Sequence, residues 1–300
     1  MAKRFGENEH RICSLFYEGE TFEYKGNIYV VVFSDKPVCR SGEPKTDIFV
    51  RTHLYDNPNV IRDFKISYKQ DNADFIENKT SAERAEQLLG VDWQEIIEHS
   101  TLQLREVFEN RPLIYASKYK KTEAGAITLG WKFELLRVKS GELSEIMQLN
   151  YDQKVDVYAG TNLPEDKRDA SVCGMIIKDS GIAEFIFEEI ESVFSAQEVV
   201  DKMQTIDEFL EEYPNIYYAC KALNYRSFKD KYDGDRPLSV FVDWNVIDGK
   251  LVSELVFDRP LVTKGTAVYE QLMYSMDLLG ISNTDDIVEK QLADESIVWF

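Results

Sequence analysis

The sequence predicts a mixed α+β protein. Three observations lead there: short segments of alternating apolar and polar residues, longer segments of helical periodicity among them, and glycine or proline at the joints. No internal repeat, low-complexity tract or disordered linker interrupts the pattern, and 300 residues suffice for one large domain or two modest ones.

The first element is GENEHRICSLF, a short helix that turns Ile12, Leu15 and Phe16 toward a core. TFEYKGNIYVVVF supplies two strands around a turn at Lys25-Gly26-Asn27. The punctuated connection SDKPVCRSGEP leads into the strand TDIFVRTHL, and YDNPNVIRD turns the chain into the next strand, FKISYK. Helical material comes next in ADFIENKTSAERAEQLLG, capped by Gly90, and in DWQEIIEHSTLQLREVFENR, stopped by Pro112. AGAITLGWKFELLRVKSGELSEIMQL predicts one or two strands and then a helix from about Ser140. KVDVYAG predicts a strand, TNLPEDKRDA a polar loop, and CGMIIKDSGIAEFIFEEI a strand, a turn and another strand. SAQEVVDKMQTIDEFLEEYP predicts a helix. SVFVDWNVIDGKLVSELVF predicts a hairpin at Asp248-Gly249, and AVYEQLMYSMDLLG a helix stopped by Gly280. A boundary is expected near residues 167–170, dividing a core of 1–168 from an acidic part, 169–300, folded separately or continuously with it.

No apolar run is long enough to span a bilayer, and the basic start MAKRFGENEHRICSLF lacks the apolar stretch of a secretory signal. A cytoplasmic protein without a membrane partner is therefore expected. Cys13, Cys39, Cys173 and Cys220 are widely spaced, with no CxxC pair and no histidine at ligand spacing, which predicts buried reduced thiols rather than a zinc site. The net charge of −19 is shared unevenly, −3 over residues 1–150 and −16 over 151–300. A field this negative slows encounter with nucleic acid and argues against a nonspecific coat protein more than against a selective enzyme.

The chemistry-bearing residues sit in GEPKTDIFV and DFKISYKQ. Strand alternation puts Asp47, Phe49 and Arg51 on one face of the first segment. In the second, Lys65, Ser67 and Lys69 share a face, the last two roughly 6.6 Å apart along the chain. If the strands are neighbours, a carboxylate meets a hydroxyl and an ammonium group. A hard cation such as Mg2+ takes oxygen ligands, here Asp47 and the Ile66 carbonyl, polarises a phosphate and activates water, while a lysine offsets the developing charge. The same residues also read as a salt-bridged ladder on an exposed sheet.

GEPKTDIFV…DFKISYKQ resembles the core of the PD-(D/E)xK nuclease superfamily, in particular its type II restriction endonucleases, over roughly residues 5–80. The resemblance implies a restriction-endonuclease-like mixed central sheet flanked by helices, with Asp47 opening the second core strand as metal ligand and Lys69 on the third as catalytic lysine. Ser67 stands where the family usually has Asp or Glu, and Lys45-Thr46 separate Pro44 from Asp47. A first-helix glutamate, Glu9 in preference to Glu7, completes the implied catalytic and metal set, and Glu43 is a further acid nearby. The activity this resemblance implies is Mg2+-dependent, sequence-specific hydrolysis of double-stranded DNA by a homodimer. The alternative is an inactive nuclease-like module that binds DNA or protein, for which Ser67 and the acidic second half speak.

Candidate phosphate contacts are Lys118, Lys120, Lys121 and Lys132, interleaved with Trp131 and Phe133, two aromatics better suited to a core. Asn224, Arg226 and Lys229 in ALNYRSFKDKYDGDRP are candidate readers of base edges, or a solvated loop. TKGTAVYEQL lacks the glycine spacing of a Walker loop, and His10, His53 and His99 form no cluster.

Overall fold

A computed structural model describes residues 2–40, 42–70, 75–78 and 80–300, with side chains from Glu7 onward. The chain opens with α1 (Ala2–Leu15), then β1 (Thr21–Tyr24) and β2 (Asn27–Asp35), joined at Lys25 and Gly26, both at positive φ as a two-residue hairpin turn requires. β3 (Ile48–Leu54) and β4 (Ile61–Gln70) extend the meander. Next come β5 (Phe75–Glu77), α2 (Ala82–Leu89), α3 (Trp93–Leu102), α4 (Arg105–Glu109), β6 (Ile114–Tyr115), β7 (Ala126–Leu136) and β8 (Ser144–Ile146). They are followed by α5 (Tyr151–Ala159), α6 (Glu165–Arg168), β9 (Ser171–Val172), β10 (Met175–Ile176), β11 (Phe185–Glu189), α7 (Ala196–Lys202), β12 (Gln204–Thr205) and α8 (Ile206–Glu212). The last elements are β13 (Tyr217–Arg226), a 3-10 turn at Ser227–Lys229, β14 (Lys231–Tyr232), β15 (Val240–Ile247), β16 (Lys250–Val256), α9 (Gly265–Leu279) and α10 (Thr284–Glu289). The fold class is mixed α+β. Among the described residues, no helix is long and apolar enough to cross a membrane.

The chain gathers into two compact units, one of residues 1–74, 87–90 and 149–214, the other of 75–86, 91–148 and 215–300. The first is built on a six-stranded sheet in the order β1-β2-β3-β4-β11-β12. Its pairings are antiparallel except β4 with β11, which run parallel with Ile66 opposite Phe185 and Lys69 opposite Glu188. Alternation sends Ile48, Val50, Phe64, Ile66, Tyr68, Phe185 and Phe187 into one core with Ile12 and Phe16 of the α1 segment and Val199 of α7. Burying each large apolar side chain is worth about 1.5–3 kcal/mol, so this face anchors the sheet. Phe49 points the other way, into a smaller cluster with Val172 and Ile177.

The expected strand KVDVYAG is instead part of α5. Asn150 accepts the Gln153 N–H while the Gln153 side chain accepts the Asn150 N–H, a reciprocal cap, and Gly160 ends the helix at φ +79°. Two satisfied helix ends outweigh the strand preference of Val155 and Val157. The short loop after it contains α6, and the helix expected over 195–214 breaks into α7, β12 and α8, with Thr205 capping the second helix.

The second unit centres on β7, buried along nearly its whole length, with strands ordered β14-β13-β7-β15-β16 and β5, β6 and β8 added at the ends. β15 and β16 meet at Asp248-Gly249, the expected hairpin, and Gly280 ends α9 in the left-handed conformation. The helix expected from Ser140 is strand β8: it pairs with β13, the Ser144 hydroxyl donates to the Tyr218 carbonyl at 2.6 Å, and Leu143 and Met147 are buried on either side. Of the helix expected over 73–90, residues 75–77 form β5 against β7 and only 82–89 are helical; Ala73, Asp74 and Lys79 lie outside the described residues. All four cysteines are free; Cys13 and Cys220 are buried, Cys39 is half-buried, and Cys173 is exposed because it occupies the positive-φ turn between β9 and β10.

Candidate active site

The site residues of the first unit converge at one end of its sheet. The approach to β3 is fixed from a distance in sequence: the Lys45 and Thr46 N–H groups donate to the Gly181 carbonyl at 2.9 and 3.2 Å, and the Asp47 N–H donates to the Ile66 carbonyl at 2.9 Å. The Asp47 carboxylate turns back onto β4. It accepts the Tyr68 N–H at 2.8 Å and, more loosely, the Ser67 hydroxyl at 3.4 Å. Because Ile48 pairs with Ile66, Asp47 lies beside Ser67, and Lys69 follows on the same sheet face. The shared face inferred from alternation is therefore the one the fold contains.

From α1, Glu9 reaches the same end. Its carboxylate meets Lys36, the residue directly after β2, at 2.5 Å, and the two side chains are only 13% and 25% exposed. Glu7 and Glu43 are exposed. Burial pushes the Asp47 carboxyl up; Lys69 pulls it down, Glu9 pushes it up again, and the Tyr68 N–H and Lys36 pull it down, with the balance above the usual carboxylate range. For Lys36, burial alone would lower the ammonium, but contact with Glu9, backed by Asp47 and Glu43, leaves it raised. Asp47, Glu9, Lys36 and Lys69 thus form one electrostatic unit.

The salt-bridged ladder is a different set of residues. Among the described residues Asp47 forms no ion pair with Lys65 or Lys69; the two-pronged pair on that face joins Arg51 to Asp63 at 2.8 and 2.7 Å. Lys45 is buried, its stem packed where Gly160 leaves room. Nothing in the sequence marks Lys36 strongly. Its only local signal is its place between a strand end and Pro37, and the partner that makes it notable is far away on α1.

The donor atoms suit a hard cation. Asp47 and Glu9 offer carboxylate oxygens and Ser67 a buried hydroxyl; the Ile66 carbonyl already accepts the Asp47 N–H and has one lone pair left. A positive ion there would also relieve the raised Asp47 carboxyl. Among the described residues no three His, Cys, Asp or Glu side chains form a ready-made metal cage, so any ion would rely on the two carboxylates and water.

In the second unit the basic candidates are largely matched by acids. Lys120 pairs with Glu142 at 2.7 Å, Lys229 with Glu123 at 2.6 Å, and Arg226 with Asp233 at 2.5 Å. Lys132 pairs with the buried Glu134 at 2.6 Å. Lys118 lies near enough to Glu123 to pull its carboxyl down behind Lys229 and Arg226, and Lys121 is exposed. Asn224 and Arg226 belong to β13, not to a loop, and the Asn224 side chain accepts from the Thr128 hydroxyl. Trp131 and Phe133 are core residues, as expected of two large aromatics on a central strand.

No family model matches the chain, and comparison with curated proteins and with solved structures finds no match either.

Proposed function

We propose that the first unit is a nuclease-like core, resembling the PD-(D/E)xK superfamily, that hydrolyses phosphodiester bonds of double-stranded DNA with Mg2+. The observation that carries this reading is the convergence of Glu9, Asp47 and Lys69 from a helix, a strand start and a strand end. Asp47 directly precedes β3 and Lys69 lies on its antiparallel neighbour β4, an adjacency that supports this reading, with β1 and β2 coming before them in the sheet. Glu9 and Asp47 would hold the ion, with Ser67 steadying Asp47. When bound, Mg2+ supplies Lewis-acid polarisation and a water of lowered pKa. Lys69, next to Asp47, orients the attacking water and offsets charge that develops on the phosphate. Lys118, Lys120, Lys121, Lys132, Asn224, Arg226 and Lys229 are the proposed DNA contacts. Exposed ion pairs contribute about 0–1 kcal/mol, so exchanging Glu142 or Glu123 for a phosphate costs Lys120 and Lys229 little, whereas Lys132 would have to leave the buried Glu134. Sequence-specific cleavage of the restriction type, by a homodimer matched to a symmetric target in the cytoplasm, completes the proposal.

A second reading, a nuclease-like module without catalysis, is favoured by Ser67 and by the Lys36 ammonium seated on Glu9. Plasmid cleavage with and without Mg2+ separates the two. Discrete Mg2+-dependent fragments from the native chain, abolished in Lys69→Ala without loss of fold or of DNA affinity measured in Ca2+, are expected. Near-native cleavage by Lys69→Ala would remove the catalytic role. Removing Lys69 also takes away part of what offsets the buried Asp47 carboxylate, so the thermal midpoint is recorded beside the rate; losing a transition-state contact costs orders of magnitude in rate, far beyond any such stability change.

A further inference from the structure

We infer that Lys36 is a built-in counter-ion of the candidate site, paired with Glu9 near Asp47 until a divalent cation displaces its ammonium. The inference rests on the nuclease-like reading of that site and adds a condition to it: metal arrival and Lys36 release are one event.

Asp35, the last residue of β2, pairs with Phe49, so Lys36 continues the ladder beside the Asp47 end of β3. Its Nζ lies 2.5 Å from Glu9 Oε2, and Asp47 and Glu43 act on it from further off. The ammonium is therefore seated among the acids that the metal would use. Pro37 and the short bridge from Val38 to Ser171, with N–H to carbonyl bonds of 2.9 Å in both directions, tie down the backbone just beyond it. Only the lysine stem is left free to move.

Around Glu9 and Asp47 stand two ammonium groups, Lys36 and Lys69. Glu43 also acts on Lys36 and Glu188 stands opposite Lys69 in the ladder, so the surroundings stay acidic enough to draw an ion in, but a divalent cation on Glu9 would face Lys36 at contact distance. Such like-charge contact is unfavourable in a partly buried place, where attraction and repulsion are both stronger than in water. Lys69 differs: among the described residues it makes no direct ion pair with Asp47 or Glu9, so an ion on the carboxylates need not break one. Lys36 is the group that must yield. Its compact charge on a flexible stem can then settle on a phosphate oxygen.

The test is calorimetric titration of the full chain with Mn2+ alone, without DNA. Lys36→Met should bind Mn2+ at least about tenfold more tightly than the native chain, since one nearby unit charge has gone. Lys36→Arg, which keeps the charge, should bind as the native chain does. The tightened binding should vanish in Lys36→Met combined with Asp47→Asn. Equal or weaker binding by Lys36→Met, with Asp47→Asn still abolishing it, would overturn the counter-ion role and leave the metal site standing. Binding indifferent to Asp47→Asn in both backgrounds, or no binding in any protein, would overturn both. Thermal midpoints are recorded for each protein; Lys36→Gln replaces Lys36→Met if the latter fails to fold, with the same expected outcomes.

Discussion

Asp47 is a carboxylate kept in a place that disfavours its charge. Burial is the largest cause of its raised carboxyl, and Lys69 offsets it only in part. A folded-state carboxyl raised above its unfolded value costs stability whenever it is ionised, and the cost fades as pH falls through the folded value. Asp47→Asn should therefore raise the thermal midpoint at neutral pH, and the gain should shrink as the pH enters the carboxylate range. Paired melting curves of the two proteins across that range check it; a constant difference, or a loss at neutral pH, would contradict this origin of the cost. Stability given up at one residue is common where a site needs a charge.

At the scale of elements, the site depends on a loop that carries none of its chemistry. Gly181 accepts the Lys45 and Thr46 N–H groups and donates its own N–H to the Arg168 carbonyl at 2.8 Å. A Cβ built there would stand 1.9 Å from the Lys167 carbonyl oxygen and 2.9 Å from Pro44. Backbone cannot rotate aside as a side chain can. Gly181→Ala should cost about 3 kcal/mol in urea unfolding and reduce cleavage further than the stability loss explains, because the start of β3 is displaced. An alanine variant with the native midpoint would show the contact to be soft. The sequence displays the β3 and β4 faces plainly, since strict alternation around Phe49 and Ser67 leaves few options; the first-helix acid, Glu9 in preference to Glu7, follows only from the family resemblance. It conceals the partners. Nothing local in KPV announces that Lys36 will meet Glu9, and nothing in DSG announces that Gly181 will hold Lys45. α5 and β8 are hidden for a related reason. Val155 and Val157 outweigh the Asn150–Gln153 cap in any local count, and the helix formers of GELSEIMQ disguise a strand made stable by β13.

For the whole molecule, neither compact unit is one run of sequence. A fragment ending at residue 168 keeps α1 and the meander but lacks β11, leaving the backbone edge of β4 without its parallel partner and the core without Phe185 and Phe187. An open edge beside exposed apolar surface invites association. Expressed alone, residues 1–168 should aggregate or unfold without cooperativity, while residues 1–214, which restore β11, α7 and β12, should fare better, as judged by gel filtration and chemical denaturation. A monomeric, cooperatively folding 1–168 fragment would show that the meander closes its own core.

The parallel join of β4 to β11 also sets a time for the site to appear. The Tyr68 hydroxyl donates to Glu189, 121 positions later, and Arg11 reaches the same carboxylate across 178 positions. Contacts of such long range form late, because the loop must close before the pairing rewards it. While the chain is being made, the segment bearing Asp47 and Lys69 leaves the ribosome well before β11 does. The nascent protein therefore carries Glu9, Lys36, Asp47 and Lys69 before the Gly181 carbonyl and the β11 strand, which fix the start of β3 and the outer edge of β4, have been made.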